Sequence, residues 1–311
     1  MKQQVNYIIS ELRGFFPEEE LRELAYWIIE ETTGMTRTQI LTDCKGTQNI
    51  PNIEIILQKL RAHVPIQYIF GHTEWMGLDL RVTPATLIPR PETAELVEWV
   101  LQMADRNKPL KVLDIGTGSG CIALALKKAA PNWDVTGLDI SEDALKVAKE
   151  NAGRNNAEVH WLQADILSPH CPVASSPHHL HFDIIVSNPP YFQDSLKNPN
   201  AQRATARHTD TLHFAELIAH AVRLLKKDGI LALVLPFEAQ EEILSLAYTH
   251  GLHPTHITHV HSKPGKPAKR LLIALSPIAE NSYPIPNILH IESENSPRSK
   301  EYTELTRDFY L

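Results

Sequence analysis

The run Val112-Leu113-Asp114-Ile115-Gly116-Thr117-Gly118-Ser119-Gly120 constrains this chain more than any other stretch, because an apolar segment stops at three glycines within five residues. Leu110 to Ile115 reads as a buried strand. Glycine accepts positive φ and close backbone approach, so Gly116 to Gly120 reads as a tight turn feeding a helix. Exposed N–H groups at such a helix start suit an anionic or carboxylate-bearing ligand. A second apolar strand, Asp134 to Ile140, carries Asp139 about twenty residues beyond the turn, where an acid can accept hydrogen bonds from ribose hydroxyls. Alone, this pattern also fits an ordinary βα turn or a nicotinamide-binding fold.

A third apolar run, Phe182-Asp183-Ile184-Ile185-Val186-Ser187, ends in Asn188-Pro189-Pro190-Tyr191. An amide or exocyclic amino nitrogen is a poor nucleophile, so an enzyme acting on it must hold its two hydrogens and aim its lone pair. The Asn188 side-chain oxygen and the Pro189 carbonyl can accept those hydrogens, while both prolines fix φ and add no competing donor. Tyr191 is expected to pack against the planar group. With the glycine turn upstream, these residues point to methyl transfer from S-adenosylmethionine to a planar nitrogen. The chemistry is in-line positioning plus stabilisation of charge developing on that nitrogen, without a strong general base.

A chain of 311 residues suits two domains. Cys44, Cys121 and Cys171 are widely spaced and imply neither a disulfide framework nor a zinc site. Met1-Lys2-Gln3-Gln4 leads into an amphipathic helix and no run is long enough to span a bilayer, so no membrane association and a cytoplasmic location are expected. Residues 1–190 hold 17 Lys and Arg against 24 Asp and Glu, whereas residues 191–280 hold 10 against 8. The acidic first part does not resemble a general nucleic-acid binder. In the second part Lys197, Arg203, Arg207 and His208, then Lys263, Lys266, Lys269 and Arg270, form two basic loops. Each reads as a solvated loop or as a phosphate-facing rim.

Apolar spacing predicts helices over Asn6–Phe15, Glu18–Glu31, Thr36–Leu41 and Ile53–Ala62, with Pro17 opening the second. Residues 65–90, broken by Gly71, Gly77 and Pro84, read as a hairpin linker. Beyond it, helices over Pro91–Ala104, Ser119–Ala129, Glu142–Gly153 and Leu212–Lys226 alternate with strands, which argues for an α/β, doubly wound, mostly parallel sheet. Its ligand then sits at the strand ends near the switch point, where Gly116 and Asn188 both fall. The proline- and histidine-rich residues 166–181 read as a loop. Neither their histidines nor His253, His256, His259 and His261 match a metal-ligand spacing, so no metal is expected.

Residues 1 to about 190 resemble the release factor glutamine methyltransferases of the HemK/PrmC family. The resemblance is carried by the helical start, Pro65-Ile66-Gln67-Tyr68-Ile69-Phe70-Gly71, Leu87-Ile88-Pro89-Arg90-Pro91-Glu92-Thr93, the Asp114 to Gly120 motif and Asn188 to Tyr191. After about residue 182 the chain is also similar to the tRNA(Val) adenine-N6 methyltransferases, in Phe192 to Lys197, Gln202 to His208, Lys263 to Arg270 and Tyr302 to Tyr310. A chimera with its junction between about Asp165 and Phe182 is one reading.

The resemblance implies a class I S-adenosylmethionine-dependent methyltransferase with a small all-helical N-terminal domain: 1–75 for substrate recognition, 76–90 a hairpin linker, 91–311 catalytic. It implies that Asp114, Gly116, Thr117, Gly118, Ser119 and Gly120 serve the methionine part of the cofactor, Asp139 the ribose, and Asp165 with Ile166 the adenine. Asn188, Pro189, Pro190 and Tyr191 form the catalytic loop, with Asn188 also beside the cofactor. Arg90, Pro91 and Glu92 shape the near wall, although Arg90 can instead pair with Glu92, and Asp165 can instead cap its strand. The favoured substrate is the glutamine of the Gly-Gly-Gln loop in peptide chain release factors. The alternatives are tRNA, or a non-catalytic cofactor-binding chimera.

Overall fold

A computed structural model describes residues 1–43, 50–168, 181–189, 214–279 and 282–306. The chain divides into two compact units, Met1–Thr73 with Val82–Pro84, and Glu74–Arg81 with Ala85–Leu311.

The first unit is helical: α1 (Lys2–Leu12), α2 (Glu18–Thr33), α3 (Arg37–Thr42), α4 (Ile53–Arg61) and α5 (Ile66–Phe70). Residues spaced three and four apart, Val5, Ile8 and Leu12 on α1 and Leu21, Ala25, Ile28 and Ile29 on α2, meet Ile56, Leu57 and Leu60 of α4 in one core. α1 starts and ends earlier than its apolar spacing suggests, because the buried Met1 and Val5 extend the core stripe toward the N-terminus. Pro17 sits at the N-cap of α2 rather than inside its first turn. Helix α5 corrects the expectation of a hairpin over all of 65–90: Ile66 is buried, and Ile69 and Phe70 pack against the same core before Gly71 ends the turn in the left-handed region.

After α5, β1 (His72–Trp75) and β2 (Leu78–Arg81) form a two-stranded sheet around Met76 and Gly77, both at positive φ. Among the described residues the main sheet has eight strands in the order β10-β8-β9-β7-β6-β3-β4-β5. They are β3 (Lys111–Ile115), β4 (Asp134–Asp139), β5 (His160–Gln163), β6 (Phe182–Ser187), β7 (Leu225–Pro236), β8 (His253–His261), β9 (Ala268–Ser276) and β10 (Asn287–His290). All neighbours pair in parallel except β9, which runs antiparallel to β7 and β8.

Alternate residues of the central strands go to opposite faces, and both faces are apolar because both are covered. Val112, Ile184, Ala232 and Leu272 face one core with α6 (Pro91–Met103) and α7 (Cys121–Ala129). Leu113, Ile185, Leu233 and Ile273 face the other with α9 (Phe214–Leu224) and α10 (Gln240–Thr249). The other α-helices among the described residues are α8 (Glu142–Arg154) and α11 (Lys300–Leu305). The expected helix through Lys226 stops at Leu224, because Leu225 already pairs with Phe182 as strand. The β8 histidines lie on a strand flanked on both sides, by β9 and β10, rather than on a free edge.

Candidate active site

The chain leaves β3 to build β4 and β5 on one side, then returns to β6 on the other, so the sheet reverses direction between β3 and β6. At that crevice Ile115 and Ser187 are register partners, and the Ser187 hydroxyl donates to the Ile115 carbonyl at 2.8 Å. Gly116 and Asn188 therefore emerge side by side at the carboxyl ends of adjacent strands, the place where open α/β sheets bind ligands.

The glycine turn is drawn toward β4. The N–H groups of Gly116 and Thr117 donate to the Leu138 carbonyl at 2.9 and 3.0 Å. The Asp139 carboxylate accepts from Gly118 N at 2.8 Å and from Ser141 N at 2.9 Å. Gly118 has φ +56, a conformation costly to any side chain, and a Cβ there would point into space with nothing nearer than 3.9 Å. Gly120, at φ +81, meets the opposite condition: its Cβ would come within 2.8 Å of the Trp161 ring, which also covers Gly137. The front of the turn is thus open and its back is packed.

In front lies a cleft of about 570 Å³ lined by Gly116, Thr117, Gly118, Ser119, Asp139, Asp165, Ile166, Asn188 and Pro189, together with Arg90, Glu92 and Thr93. Most of the expected cofactor residues are brought together there. Asp114 and Gly120 lie behind the cleft wall rather than in it. Pro190 and Tyr191 lie outside the described residues. Asp165 is exposed and its Oδ1 accepts from Leu167 N at 2.9 Å, so it caps its strand end while bordering the cleft. Arg90 is exposed, with its guanidinium 3.7 Å from Glu92.

Asp114 is fully buried. Its Oδ2 accepts from the Thr117 hydroxyl at 2.6 Å, and the Ala123 backbone N–H also favours the ionised carboxylate. Burial is the main reason its carboxyl is pushed up to about 7, with the nearby Asp139 charge adding to the effect and the Thr117 hydroxyl opposing it. As pH rises from the ordinary carboxyl range, the unfolded chain gives up a proton that the folded chain keeps until about 7, so this group progressively costs stability over that window. We therefore expect the melting temperature of Asp114→Asn to improve relative to the parent between about pH 5 and about pH 8. A gap independent of pH would show that Asp114 ionises like a free carboxyl. Next to it, burial pushes the Cys121 thiol up to about 12, which keeps it protonated at neutral pH.

Asn188 donates from Nδ2 to the Thr93 hydroxyl at 2.8 Å. Thr93 is a residue that reading the sequence did not single out, although it closes the Leu87 to Thr93 motif. In the same helix Glu95, 0% exposed, accepts both Nε and Nη2 of Arg270 and the Tyr302 hydroxyl. Burial raises the Glu95 pKa, and Arg270 works against that shift.

This pair corrects the picture of a basic rim over Lys263 to Arg270. Arg270 turns inward to Glu95 and Lys263 pairs with Glu292, leaving Lys266 and Lys269 as the rim cations of that loop. The other basic cluster, Lys197 to His208, lies outside the described residues. Among the described residues no group of three or more His, Cys, Asp or Glu side chains is arranged to hold a metal, and no helix is long and apolar enough to cross a membrane.

The methyltransferase small domain family matches residues 97–248. A release factor glutamine methyltransferase of Flavobacterium psychrophilum is 40% identical over 195 residues, covering 61% of this chain and 66% of that relative. A tRNA1(Val) (adenine(37)-N6)-methyltransferase of Parabacteroides distasonis is 40% identical over 214 residues, covering 67% of this chain and 86% of that relative. Among solved structures, a predicted O-methyltransferase from Agrobacterium tumefaciens shares the fold, with a TM-score of 0.53 at 20% identity over 70% of this chain and 95% of its own.

Proposed function

We propose, for a chain that belongs to the S-adenosylmethionine-dependent methyltransferases, that it methylates the side-chain nitrogen of the glutamine in the Gly-Gly-Gln loop of a peptide chain release factor. The observation that carries this reading is the Asn188 to Thr93 hydrogen bond. The segment that most resembles the release factor enzymes, Leu87 to Thr93, supplies the group that holds the catalytic asparagine. The helical unit with its own core is a second support, as the surface that engages a protein substrate. One observation favours tRNA instead: the Parabacteroides relative aligns over 86% of its length. A chimera that binds cofactor without transferring its methyl is the third outcome.

The residues present fit the cofactor. The cleft volume lies in the usual range for small-molecule sites, and the open face of Gly118 lets a ligand approach the backbone. The Asp139 carboxylate keeps lone pairs for ribose hydroxyls beyond its two backbone bonds. Ile140, Ala164, Ile166 and Leu167 offer an apolar slot for a planar base. Bound S-adenosylmethionine supplies an electrophilic methyl group. The chain's own contribution is to hold a weak nucleophile: Asn188 Oδ1 and the Pro189 carbonyl accept the two amide hydrogens and stabilise the positive charge that develops on nitrogen. Asp139→Ala is expected to weaken cofactor binding by roughly 1.5–3 kcal/mol, read by titration calorimetry. Unchanged affinity would remove Asp139 from the site.

The deciding experiment incubates the protein with methyl-labelled cofactor and, separately, a release factor and unmodified tRNA. We expect label on the release factor, and none when its loop glutamine is replaced by asparagine. Label in tRNA alone would overturn the reading in favour of the nucleic acid, and label in neither would favour the non-catalytic chimera.

A further inference from the structure

We infer that Thr93 is the positioning residue of the catalytic asparagine, and that α6 is clamped from its far side by Arg270 and Tyr302 so that Thr93 stays in place. The inference rests on the reading of Asn188 as the group that holds the acceptor nitrogen.

Asn188 follows a strand and precedes two prolines, so its backbone is well placed while its side chain retains two torsions. An asparagine amide that rotates presents donors where the reaction needs an acceptor, because its two ends differ only in chemistry. In the structure the nitrogen end is engaged: Nδ2 donates to Thr93 Oγ1 at 2.8 Å. That bond restrains both torsions and, in the observed orientation, turns the nitrogen end toward Thr93 and the oxygen end away from it. Thr93 is itself fixed, being 4% exposed in the first turn of α6, with its N–H bonded to the Arg90 carbonyl at 3.1 Å.

The helix is gripped from both sides. Glu95 lies two residues on, about 200° around the helix axis from Thr93. There its buried carboxylate accepts Arg270 Nε at 3.0 Å and the Tyr302 hydroxyl at 3.1 Å. A rotation of α6 that moved Thr93 away from Asn188 would also pull the buried Glu95 carboxylate from a two-sided set of donors. The resistance of that network to rotation is what makes a single hydroxyl an adequate guide for the amide.

The test compares Thr93→Val, which keeps the branched shape and removes the hydroxyl, with Thr93→Ser, which keeps the hydroxyl. We expect Thr93→Val to lower the rate of transfer at saturating cofactor and substrate by ~10- to 100-fold, the scale of a misplaced reacting group. Cofactor affinity by equilibrium dialysis should stay unchanged, and Thr93→Ser should recover most of the lost rate. With 15N-labelled asparagine, the Asn188 side-chain amide protons should exchange with water slowly in the parent and in Thr93→Ser, and fast in Thr93→Val. Tyr302→Phe should lower the rate less than Thr93→Val and also leave cofactor affinity alone. Parent-like transfer, or parent-like amide exchange, in Thr93→Val would overturn the inference while leaving the role of Asn188 intact. Parent-like transfer by Asn188→Ala would overturn both.

Discussion

Asn188→Ala is expected to lower turnover by ~10²-fold or more while cofactor affinity changes little, since loss of one preorganised polar contact at a reacting centre has an effect of that size. The asymmetry is the informative part. Asn188 stands at the end of β6 beside the glycine turn, and its neighbour Ser187 is bonded to the backbone of β3, so truncating the side chain leaves the cleft wall in place. Single-turnover rates measured with saturating cofactor isolate the transfer step, and a parallel titration gives the affinity. A variant that transfers at the parent rate removes Asn188 from the chemistry. One that loses cofactor affinity as steeply as rate makes it a binding residue instead.

Arg270→Ala is expected to destabilise the catalytic unit by about 3–5 kcal/mol, the range for removing one partner of a buried ion pair. Most of that cost is the stranded carboxylate, since Glu95 is completely buried and Arg270 supplies two of its three hydrogen bonds. Burial already holds the Glu95 pKa above its ordinary value, and without Arg270 it rises further. The variant's folded state then keeps a proton that its unfolded state releases, so the deficit should widen as pH rises through the shifted value. Urea unfolding at mildly acidic and mildly alkaline pH reads both effects. Adding Glu95→Gln should return part of the stability. A deficit under about 1 kcal/mol would mean that the pair behaves like an exposed one.

The elements that could be read directly were those whose pattern has one physical cause. Alternation of Val112 with Leu113 and of Ile184 with Ile185 requires a sheet covered on both faces, and the spacing of Leu21, Ala25 and Ile28 requires a helix with one buried stripe. The glycine turn was legible because glycine accepts those positive φ values at least cost. Local patterns do not record distant partners, and that is where reading failed. Glu95 in α6 looks like a solvated acid until β9 and α11 bring Arg270 and Tyr302 to it, and Arg270 looks like one more surface cation of a basic loop. Thr93 differs from any other helix-start threonine only because Asn188, 95 residues away, lies beside it. The five-residue α5 was hidden among turn signals, since so short a helix has barely one turn of spacing to display.

The span of the Glu95 network also bears on how the catalytic unit comes into being. Its partners lie 175 and 207 residues further along the chain. On the ribosome α6 emerges early, and its central acid remains hydrated until β9 has been added beside β7 and the turn of α11 has been made. Long loops close slowly and domains fold as units, so the step that draws Glu95 out of water waits until both β9 and α11 have been made. Until then the helix that carries Thr93 has no anchor on its far side. The growing polypeptide can therefore form its glycine turn well before Thr93, and with it the Asn188 side chain, acquires a settled geometry.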